Sequence, residues 1–526
     1  MSKNSVNRRA FIAGSTAAVG AAMTLPAASY AKIKAANEKL NIAFLGTGGR
    51  CQQHIDVIVD LRDEGKPVEP FAVCDVWDGD ETLGKRNNDK KNRSGRGLYP
   101  SAKTCGIPMD AGKGRISKDY RNIIDNKDVD VVCIATPDHW HARMAIDAME
   151  RGKDVYMEKP MTKTIGEAIA VVDAAMKYGR TVTVGVQSMA DPTWQAALDY
   201  IKAGKLGHVL QGTTSYYRNS SVGQWRYYPL KKDMTPKNID WDMWLGNNFK
   251  TVDTGEPLGP TQKEMPFDRA VWAQWRCYWP FGGGMFTDLF VHQTTHLIAA
   301  MGVRFPARVV GAGGLYMEYD GRDVPDTATV VADYEEGCQV IISATMCNDV
   351  QLGERIRGHL GTINFTGGGD YMKGFEVNGQ YFSGGPSKPK NMEEKPIFTY
   401  DNPKSGNATR ALWENFLEHV RMEDKVKRRE TLSTPELGAA AFSTVNMGVL
   451  SYRFGKALMW DKSKRAPKDA DASWASQWEA RSKKRGKPNE VRGFNPPAGY
   501  TGSSLTPPDY QKLEGPWVGG KDPAGE

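Results

Sequence analysis

Residues 40–51 have the sequence Leu-Asn-Ile-Ala-Phe-Leu-Gly-Thr-Gly-Gly-Arg-Cys, and this stretch decides the fold. The apolar run predicts a buried β-strand, and the glycines predict a tight turn that opens a helix reaching about Leu61. In such a strand–turn–helix unit Gly46 permits the turn, and Gly48 lets the backbone approach a pyrophosphate at the helix N-terminus. Because Cys51 holds the third small position in place of Gly or Ala, the motif alone is also compatible with a surface turn.

An acidic residue after the next predicted strand favours a dinucleotide as the ligand. Val68 to Val76 predicts this second strand, and Asp75 lies near its end. A carboxylate in that position accepts hydrogen bonds from ribose hydroxyls and repels a 2′-phosphate, so the sequence favours NAD over NADP. The alternative is a solvated aspartate at the end of a strand.

Three later apolar runs predict strands that end in polar or charged residues. They are Val129 to Ala135 before Thr136-Pro137-Asp138-His139, Asp154 to Met157 before Glu158-Lys159-Pro160, and Thr181 to Val186 before Gln187. Such runs are typical of a parallel sheet buried on both faces, in which ligands bind at the carboxyl ends of the strands. Residues 38–187 are therefore predicted to form a Rossmann dinucleotide-binding domain.

Residues 188–460 predict a second α/β domain with an open, mostly antiparallel sheet, because long alternating strands follow the first unit. Two helices are predicted at 410–424 and 434–459. Residues 461–526 are rich in Lys and then in Pro and Gly, which predicts an irregular C-terminal extension. The predicted strands of the second domain lie at Gly212 to Arg218, Arg308 to Tyr319, Thr327 to Tyr334, Gln339 to Cys347 and Thr362 to Thr366.

An aromatic-rich insertion interrupts the second domain. Aromatic rings stack on sugar C–H surfaces while polar neighbours bind hydroxyls, so the insertion is compatible with a sugar site. A loop-rich hydrophobic cluster would also use tryptophan, and both interpretations stay open. The aromatic residues are Trp225, Tyr227, Tyr228, Trp241, Trp244, Trp272, Trp275, Tyr278, Trp279 and Phe281.

A glycine-rich loop at 282–284 precedes a predicted helix that carries Asp288, His292 and His296. Their spacing of four residues places them on one face, with a gradual drift around the helix. Three interpretations compete: a metal site, a buried histidine pair bonded to Asp288, and an Asp–His pair for proton transfer. The metal site is disfavoured, because two histidines at this spacing without a zincin glutamate make a weak motif.

Taken together, these motifs resemble the Gfo/Idh/MocA oxidoreductase family. The matching pieces, in family order, are Gly46-Thr47-Gly48-Gly49, Asp75, Thr136-Pro137 with His139, Glu158-Lys159-Pro160, and Asp288 with His292. The resemblance implies a tightly held NAD and no metal, and it supports the proton-transfer interpretation. It also implies a dimer or tetramer formed through the exposed face of the second sheet.

The resemblance assigns roles to individual positions. Lys159, Asp288 and His292 are implied as catalytic residues, and His296, Tyr217 and Arg276 are candidate substrate contacts. The implied cofactor-binding residues are Gly46, Gly48, Gly49, Arg50, Asp75, Thr136, Pro137, His139, Glu158, Lys159 and Gln187.

These residues fit hydride transfer between nicotinamide and a sugar hydroxyl or carbonyl. A neutral imidazole is suited to accept the hydroxyl proton, so His292 is the expected base, and Asp288 orients it or binds a substrate hydroxyl. Lys159 would stabilise developing alkoxide charge. Two alternatives are an NAD-dependent glycosidase that works by transient oxidation and elimination, and a non-catalytic sugar or nucleotide sensor. Glycosidases of similar architecture lack Glu-Lys-Pro, which ranks the first alternative lower, and the presence of all three catalytic residues opposes the second.

The first 31 residues resemble a twin-arginine signal. Arg8 and Arg9 precede a weakly apolar run of Gly and Ala, and small residues before Ala31 predict a cleavage site there. The run is too short for the ~20 residues of a membrane span, which is the alternative. Export as a folded protein through the twin-arginine machinery to the periplasm follows from this interpretation, and it fits seven scattered cysteines without a disulfide pattern.

The charge balance excludes one further class of function. Sixty-nine Lys and Arg against 62 Asp and Glu give a net charge of +7. The basic residues do not form a stripe, so no nucleic-acid partner is expected.

Overall fold

The computed structural model describes residues 39–83, 95–380 and 395–470, together with Trp474 and Ser476. The predicted signal peptide, and the predicted extension beyond residue 470 apart from these two residues, lie outside the described residues. Within the described ranges, no helix combines the length and the apolar character needed to cross a bilayer.

The first sheet confirms the predicted Rossmann unit. Its six strands pair in parallel in the order β3-β2-β1-β4-β5-β6. They are β1 (Leu40–Leu45), β2 (Val68–Cys74), β3 (Ile116–Ser117), β4 (Val131–Ile134), β5 (Asp154–Glu158) and β6 (Val182–Gly185). The helices of this half are α1 (Gly49–Asp63), α2 (Leu98–Cys105), α3 (Tyr120–Ile124), α4 (Asp138–Glu150) and α5 (Ile165–Tyr178).

Strand order explains why distant motifs meet. Because β1 lies between β2 and β4, and β5 lies beside β4, the four carboxyl ends are neighbours. The glycine turn, Asp75, Thr136 and Glu158 each follow or end one of these strands. Parallel strands point their carboxyl ends to one edge, so these residues border one crevice.

The second sheet confirms the prediction of an open, mostly antiparallel sheet. Ten strands pair in the order β16-β15-β14-β13-β7-β11-β10-β9-β17-β18, and only the β7–β11 pair is parallel. They are β7 (Val209–Ser215), β9 (Arg308–Gly314), β10 (Thr327–Tyr334), β11 (Cys338–Thr345), β13 (Arg355–Gly358), β14 (Gly361–Gly367), β15 (Met372–Gly379), β16 (Phe398–Asp401), β17 (Leu458–Asp461) and β18 (Ala466–Asp469). A separate small ladder joins β8 (Arg218–Asn219) to β12 (Cys347–Asn348).

Helices cover one face of this large sheet. Burial alternates along β11, as expected for a strand with one face against helices. The helices of this half are α6 (Thr193–Lys202), α7 (Trp241–Leu245), α8 (Arg269–Ala273), α9 (Gly284–Asp288), α10 (Phe290–Met301), α11 (Ala408–Val420) and α12 (Pro435–Phe454), with single 3₁₀ turns at Gln187–Ala190, Trp275–Cys277 and Lys427–Arg429.

The chain does not divide into domains as simply as its sequence suggests. Helix α11, from the second half, packs on the Rossmann unit, where the Trp413 ring stacks on Tyr156 at 4.2 Å. The predicted boundary at residue 460 falls inside β17, and residues up to Asp469 complete the large sheet through β18. Helix α11 therefore follows the second domain in sequence but packs on the Rossmann unit in space.

Candidate active site

A cavity of about 560 Å³ lies where the parallel strands end, and it is the centre of the candidate site. One wall comes from the Rossmann unit and the other from the aromatic-rich insertion and α9. The insertion residues on it include Trp225, Tyr227, Tyr228, Met234, Trp244, Trp272, Trp275 and Arg276.

The glycine turn has the geometry that its sequence predicts. Gly46 has φ of +78°, and a Cβ there would lie 2.7 Å from the Thr136 side chain. A Cβ on Gly48 would meet no atom within 4 Å, so its backbone faces open space in the cavity. Gly49 also lines the cavity, beside the guanidinium of Arg96. The turn therefore leaves backbone N–H groups accessible at the start of α1.

Asp75 lines the same cavity, at the end of β2. Its carboxylate accepts hydrogen bonds from the Trp77 backbone N–H at 2.9 Å and from Thr47 Oγ1 at 3.2 Å. Burial outweighs these bonds and raises the pKa of Asp75 to about 6. The carboxylate is thus held where it can accept a hydrogen bond from a ribose hydroxyl.

The loop after β4 divides its side chains between the cavity and the interior. Thr136, Pro137 and Asp138 line the cavity. His139 does not, because its ring packs on Phe281 and its Nε2 lies 3.0 Å from the Trp244 carbonyl oxygen. Burial lowers the pKa of His139 to about 3, so it is neutral. Contrary to the expectation, His139 therefore does not line the cavity. Its ring instead links α4 to the aromatic-rich insertion.

Glu158 gathers three side chains at the end of β5. Its Oε1 accepts from Arg50 Nε at 2.9 Å, from His54 Nε2 at 2.9 Å and from Gln187 Nε2 at 3.3 Å. Burial opposes ionisation, but Arg50 and His54 outweigh it and hold the pKa of Glu158 well below its usual range. Arg50, Glu158 and Gln187, three of the predicted cofactor-binding residues, all line the cavity.

His54 belongs to this network and was missed from the sequence. It lies one helical turn after Arg50 on α1, so the two side chains share a face. Its Nδ1 accepts from Trp413 Nε1 at 2.9 Å, which assigns the ring proton to the Nε2 that donates to Glu158. The i, i+4 spacing was the available signal, but the partner Trp413 is more than 350 residues away.

Lys159 and Asp288, two of the residues that the family resemblance implied as catalytic, form an ion pair that the sequence did not predict. Lys159 Nζ donates to Asp288 Oδ1 at 2.9 Å and to the Asp288 carbonyl oxygen at 2.9 Å. Arg276 Nε donates to the same Oδ1 at 2.9 Å. Burial opposes ionisation of Asp288, but these two cations outweigh it and hold its pKa well below the usual range.

A helix break at Leu289 makes this contact available. The sequence predicts one helix, but α9 ends at Asp288 and α10 begins at Phe290. The His292 backbone N–H bonds the Leu289 carbonyl, so the Asp288 carbonyl is left for Lys159. Asp288 therefore orients Lys159 and Arg276, and not His292 as one of the two expectations held.

His292 lines the cavity with its ring nitrogens available. Its ring stacks on Tyr216 with centroids 5.9 Å apart, and neither nitrogen is hydrogen-bonded to another described residue. Burial, and then the charge of Lys159, lower the pKa of His292 well below its usual range. The imidazole is therefore neutral at pH 7 and able to accept a proton.

Two of the three predicted substrate contacts lie outside this cavity. His296 is buried, stacks on Trp194 at 3.9 Å and lies 2.7 Å from Glu354 Oε1. Tyr217 borders a second, outer cavity and lies 3.1 Å from Ser343 Oγ. Only Arg276 lines the inner cavity. His296 follows the predicted helical spacing, but α10 turns it into the sheet-facing core.

The donor set of the cavity fits a dinucleotide. One end offers an open glycine backbone and the half-buried carboxylate of Asp75, which suit a pyrophosphate and a ribose. The other end offers Lys159, Asp288 and His292, which suit proton transfer. Its volume is in the range of about 300–1,000 Å³ found for ligand and cofactor sites.

The fold and the site define a dinucleotide-binding oxidoreductase architecture, and comparison with known families agrees. Residues 40–186 match the oxidoreductase family with an NAD-binding Rossmann fold, GFO_IDH_MocA. Residues 261–364 match the GFO/IDH/MocA C-terminal domain. The chain thus matches the models of both the N-terminal and the C-terminal domain of this family.

Solved structures share the fold at low sequence identity. The WlbA dehydrogenase from Bordetella pertussis, solved in complex with NADH and UDP-GlcNAcA, has a TM-score of 0.53 and 17% identity, covering 81% of this chain and 99% of that one. The aldose-aldose oxidoreductase from Caulobacter crescentus, complexed with glycerol, has a TM-score of 0.52 and 18% identity, covering 80% and 100%.

Curated relatives carry a different description. An alpha-N-acetylgalactosaminidase from Shewanella oneidensis is 26% identical over 242 residues, 44% of this chain and 45% of that protein. A glycosyl hydrolase family 109 protein from Shewanella sp. strain ANA-3 is 27% identical over 200 residues, 36% of this chain and 40% of that protein. The matches span less than half the length of these relatives.

Proposed function

We propose that the protein is an NAD-dependent oxidoreductase that oxidises a hydroxyl of a sugar or sugar derivative, or reduces the corresponding carbonyl. One observation carries the proposal: Lys159, ion-paired to Asp288, and an unbonded neutral His292 share one cavity with the glycine turn. The tryptophans and tyrosines of the insertion form the opposite wall and suit the C–H face of a sugar ring.

In the proposed reaction His292 accepts the proton of the sugar hydroxyl while the carbon loses a hydride. The nicotinamide, when bound, supplies the acceptor for that hydride. Lys159 stabilises the negative charge that develops on the oxygen, and Asp288 and Arg276 fix the position of the ammonium group. Gly48, Asp75 and the Glu158 network hold the cofactor, and Asp75 favours NAD over NADP.

The test is to purify the mature protein, denature it, and identify the released nucleotide by mass and absorbance. We expect NAD, in either redox state. The same preparation should form reduced nicotinamide with at least one sugar of an aldose and amino-sugar panel. If no nicotinamide cofactor were present in the extract and none bound on titration, the proposal would be wrong.

A second candidate is an NAD-dependent glycosidase that oxidises, eliminates, adds water and reduces, with no net redox change. The names of the curated relatives favour it. Incubation with p-nitrophenyl glycosides separates the two functions. Phenol release without accumulation of reduced nicotinamide supports the glycosidase, whereas reduced nicotinamide without phenol supports the dehydrogenase.

We also propose that residues 1–31 direct the folded, cofactor-loaded protein to the periplasm through the twin-arginine route. The support is the Arg8-Arg9 pair and the short apolar run after it. The seven cysteines agree with folding before export, because all of them are free thiols and six are buried.

A further inference from the structure

The second cavity adjoins the first and shares part of its wall. It has a volume of about 580 Å³ and is bordered by β8 and the segments on either side of it. Arg218 and Tyr227 line both cavities. They therefore lie at the boundary between the cavity that holds Lys159 and His292 and the outer cavity.

The chemistry of the outer cavity is that of a sugar site. Its lining is mostly uncharged and polar, and Tyr217 and Tyr227 add aromatic faces. Tyr227 is held by the Gln224 side chain, whose Nε2 donates to its hydroxyl at 3.1 Å. The remaining lining residues are Asn219, Ser220, Ser221 and Asp349.

Several of these polar groups are available to a ligand. Among the described residues, the side chains of Asn219, Ser221 and Asp349 have no hydrogen-bond partner in the protein. The Arg218 guanidinium donates to Tyr216 Oη at 2.5 Å and pairs with no carboxylate in the described part of the chain. Donors and acceptors thus surround one space.

The charges favour a neutral, hydroxyl-rich group over an anion. Arg218 would attract an anion, but Asp349 on the same cavity would repel it. A sugar hydroxyl satisfies both, because it accepts from the guanidinium and donates to the carboxylate. The inner cavity is lined both by the candidate cofactor-binding residues and by Lys159, so a substrate larger than one ring would extend toward the outer cavity.

We propose that the outer cavity is a subsite for a second sugar unit, so that the substrate is a glycoside or disaccharide whose reacting ring occupies the inner cavity. This inference rests on the proposed function, since it needs a sugar at Lys159 and His292. It applies to both candidate reactions, because each acts on a ring that can carry a glycosidic substituent.

The test compares matched sugars on the NAD-loaded protein: glucose with cellobiose, galactose with lactose, and N-acetylglucosamine with N,N′-diacetylchitobiose. Reduced nicotinamide and released monosaccharide are both measured. We expect kcat/KM to be about tenfold or more higher for the disaccharide of the accepted pair, as one or two added hydrogen bonds would give.

Variants of outer-cavity residues test whether the higher kcat/KM for disaccharides comes from the outer cavity. Asp349→Ala and Ser221→Ala should each lower kcat/KM for the disaccharide about three- to tenfold and leave the monosaccharide value unchanged, which also shows that the fold is intact. Asp110→Ala, at an exposed aspartate that lines neither cavity, should change neither value.

Two failures remain distinguishable. Equal kcat/KM for both sugar sizes, or equal losses for both in the variants, would overturn the subsite and leave the proposed function in place. If the wild-type protein turned over no sugar of either size, the proposed function would fail and the subsite with it.

Discussion

Lys159 illustrates how a single residue acquires a role through its surroundings. As a lysine before proline it resembles many surface lysines, yet its side chain is only 12% exposed and bonds both the carboxylate and the carbonyl of Asp288. This fixes the ammonium group at the cavity wall, where in the proposed reaction it would stabilise developing negative charge without reorganisation.

Replacing Lys159 by alanine should therefore lower kcat about 10²- to 10³-fold, the usual loss for one electrostatic donor. Steady-state turnover with the accepted sugar measures it, and NAD affinity reports on cofactor binding separately. Lys177→Ala, at an exposed helix position, is the matched control and should keep full activity. Full turnover by the Lys159 variant would remove this residue from the mechanism.

The raised pKa of Asp75 predicts that cofactor binding depends on pH. Burial raises the pKa of its carboxyl to about 6, against the hydrogen bonds from Trp77 and Thr47 and the charge of Lys118. Ribose hydroxyls prefer the ionised form, so proton binding competes with NAD. Affinity should be constant above about pH 7 and fall by nearly tenfold per pH unit well below pH 6.

Titration of NAD⁺ by tryptophan fluorescence between about pH 5 and pH 8 measures this dependence. Asp75→Asn should bind NAD more weakly at pH 8 and lose the acid dependence. An unchanged slope in that variant would show that another group titrates.

Helix α11 shows how one element connects the two halves of the chain. Trp413 is fully buried, stacks on Tyr156 and donates to His54, which in turn donates to Glu158. The helix thus supports the cofactor side of the site from behind, although it follows the substrate domain in sequence.

The Trp413→Ala variant should lose about 3–5 kcal/mol of unfolding free energy, because it leaves a large cavity and an unpaired His54 nitrogen. Urea unfolding followed by circular dichroism measures the loss. Trp413→Phe retains most of the ring and should lose less, and Tyr319→Ala, at a side chain 76% exposed, should change stability little. Equal stability of Trp413→Ala and wild type would contradict the packing described.

The aromatic insertion covers the cofactor end of the cavity. Trp272 lines the cavity and packs edge-on against Trp77 at 5.1 Å, and Ile239 forms a β-bridge with Trp77. A cofactor in the crevice would lie against this packing, so we expect the insertion to slow its release.

Trp272→Ala should speed NAD release about tenfold or more, as the loss of one buried aromatic contact implies. Displacement of NADH by excess NAD⁺, followed by NADH fluorescence, measures the rate. Trp279→Ala, which removes an insertion tryptophan outside the cavity, is the control. If both variants released the cofactor at the wild-type rate, the insertion would not retain it.

At the scale of the whole molecule, the predicted twin-arginine signal of residues 1–31 can be tested independently of the folded domains. Arg8 and Arg9 lie outside the described residues, so their role is a prediction from sequence. Replacing both with lysine should keep the precursor in the cytoplasm, while the folded body still binds NAD. Cell fractionation with antibody detection checks this, and periplasmic mature protein from the double variant would contradict it.

The sequence by itself determined the Rossmann unit, the mostly antiparallel second sheet and the residues at the strand ends. These depend on local signals: apolar runs, glycines at a predicted turn, and polar residues directly after predicted strands. The observed strand order then brings Gly46, Asp75, Thr136 and Glu158 to one edge of the sheet.

Only the tertiary structure decided which partners these residues meet. The helix break at Leu289 leaves Asp288 to bond Lys159 and Arg276. Core packing directs His139 and His296 away from the cavity. His54 acquires its role from Trp413, and Arg218 acquires its position from the junction of two cavities. Such contacts join residues far apart in sequence, and their energies come from burial and charge pairing that no local pattern encodes.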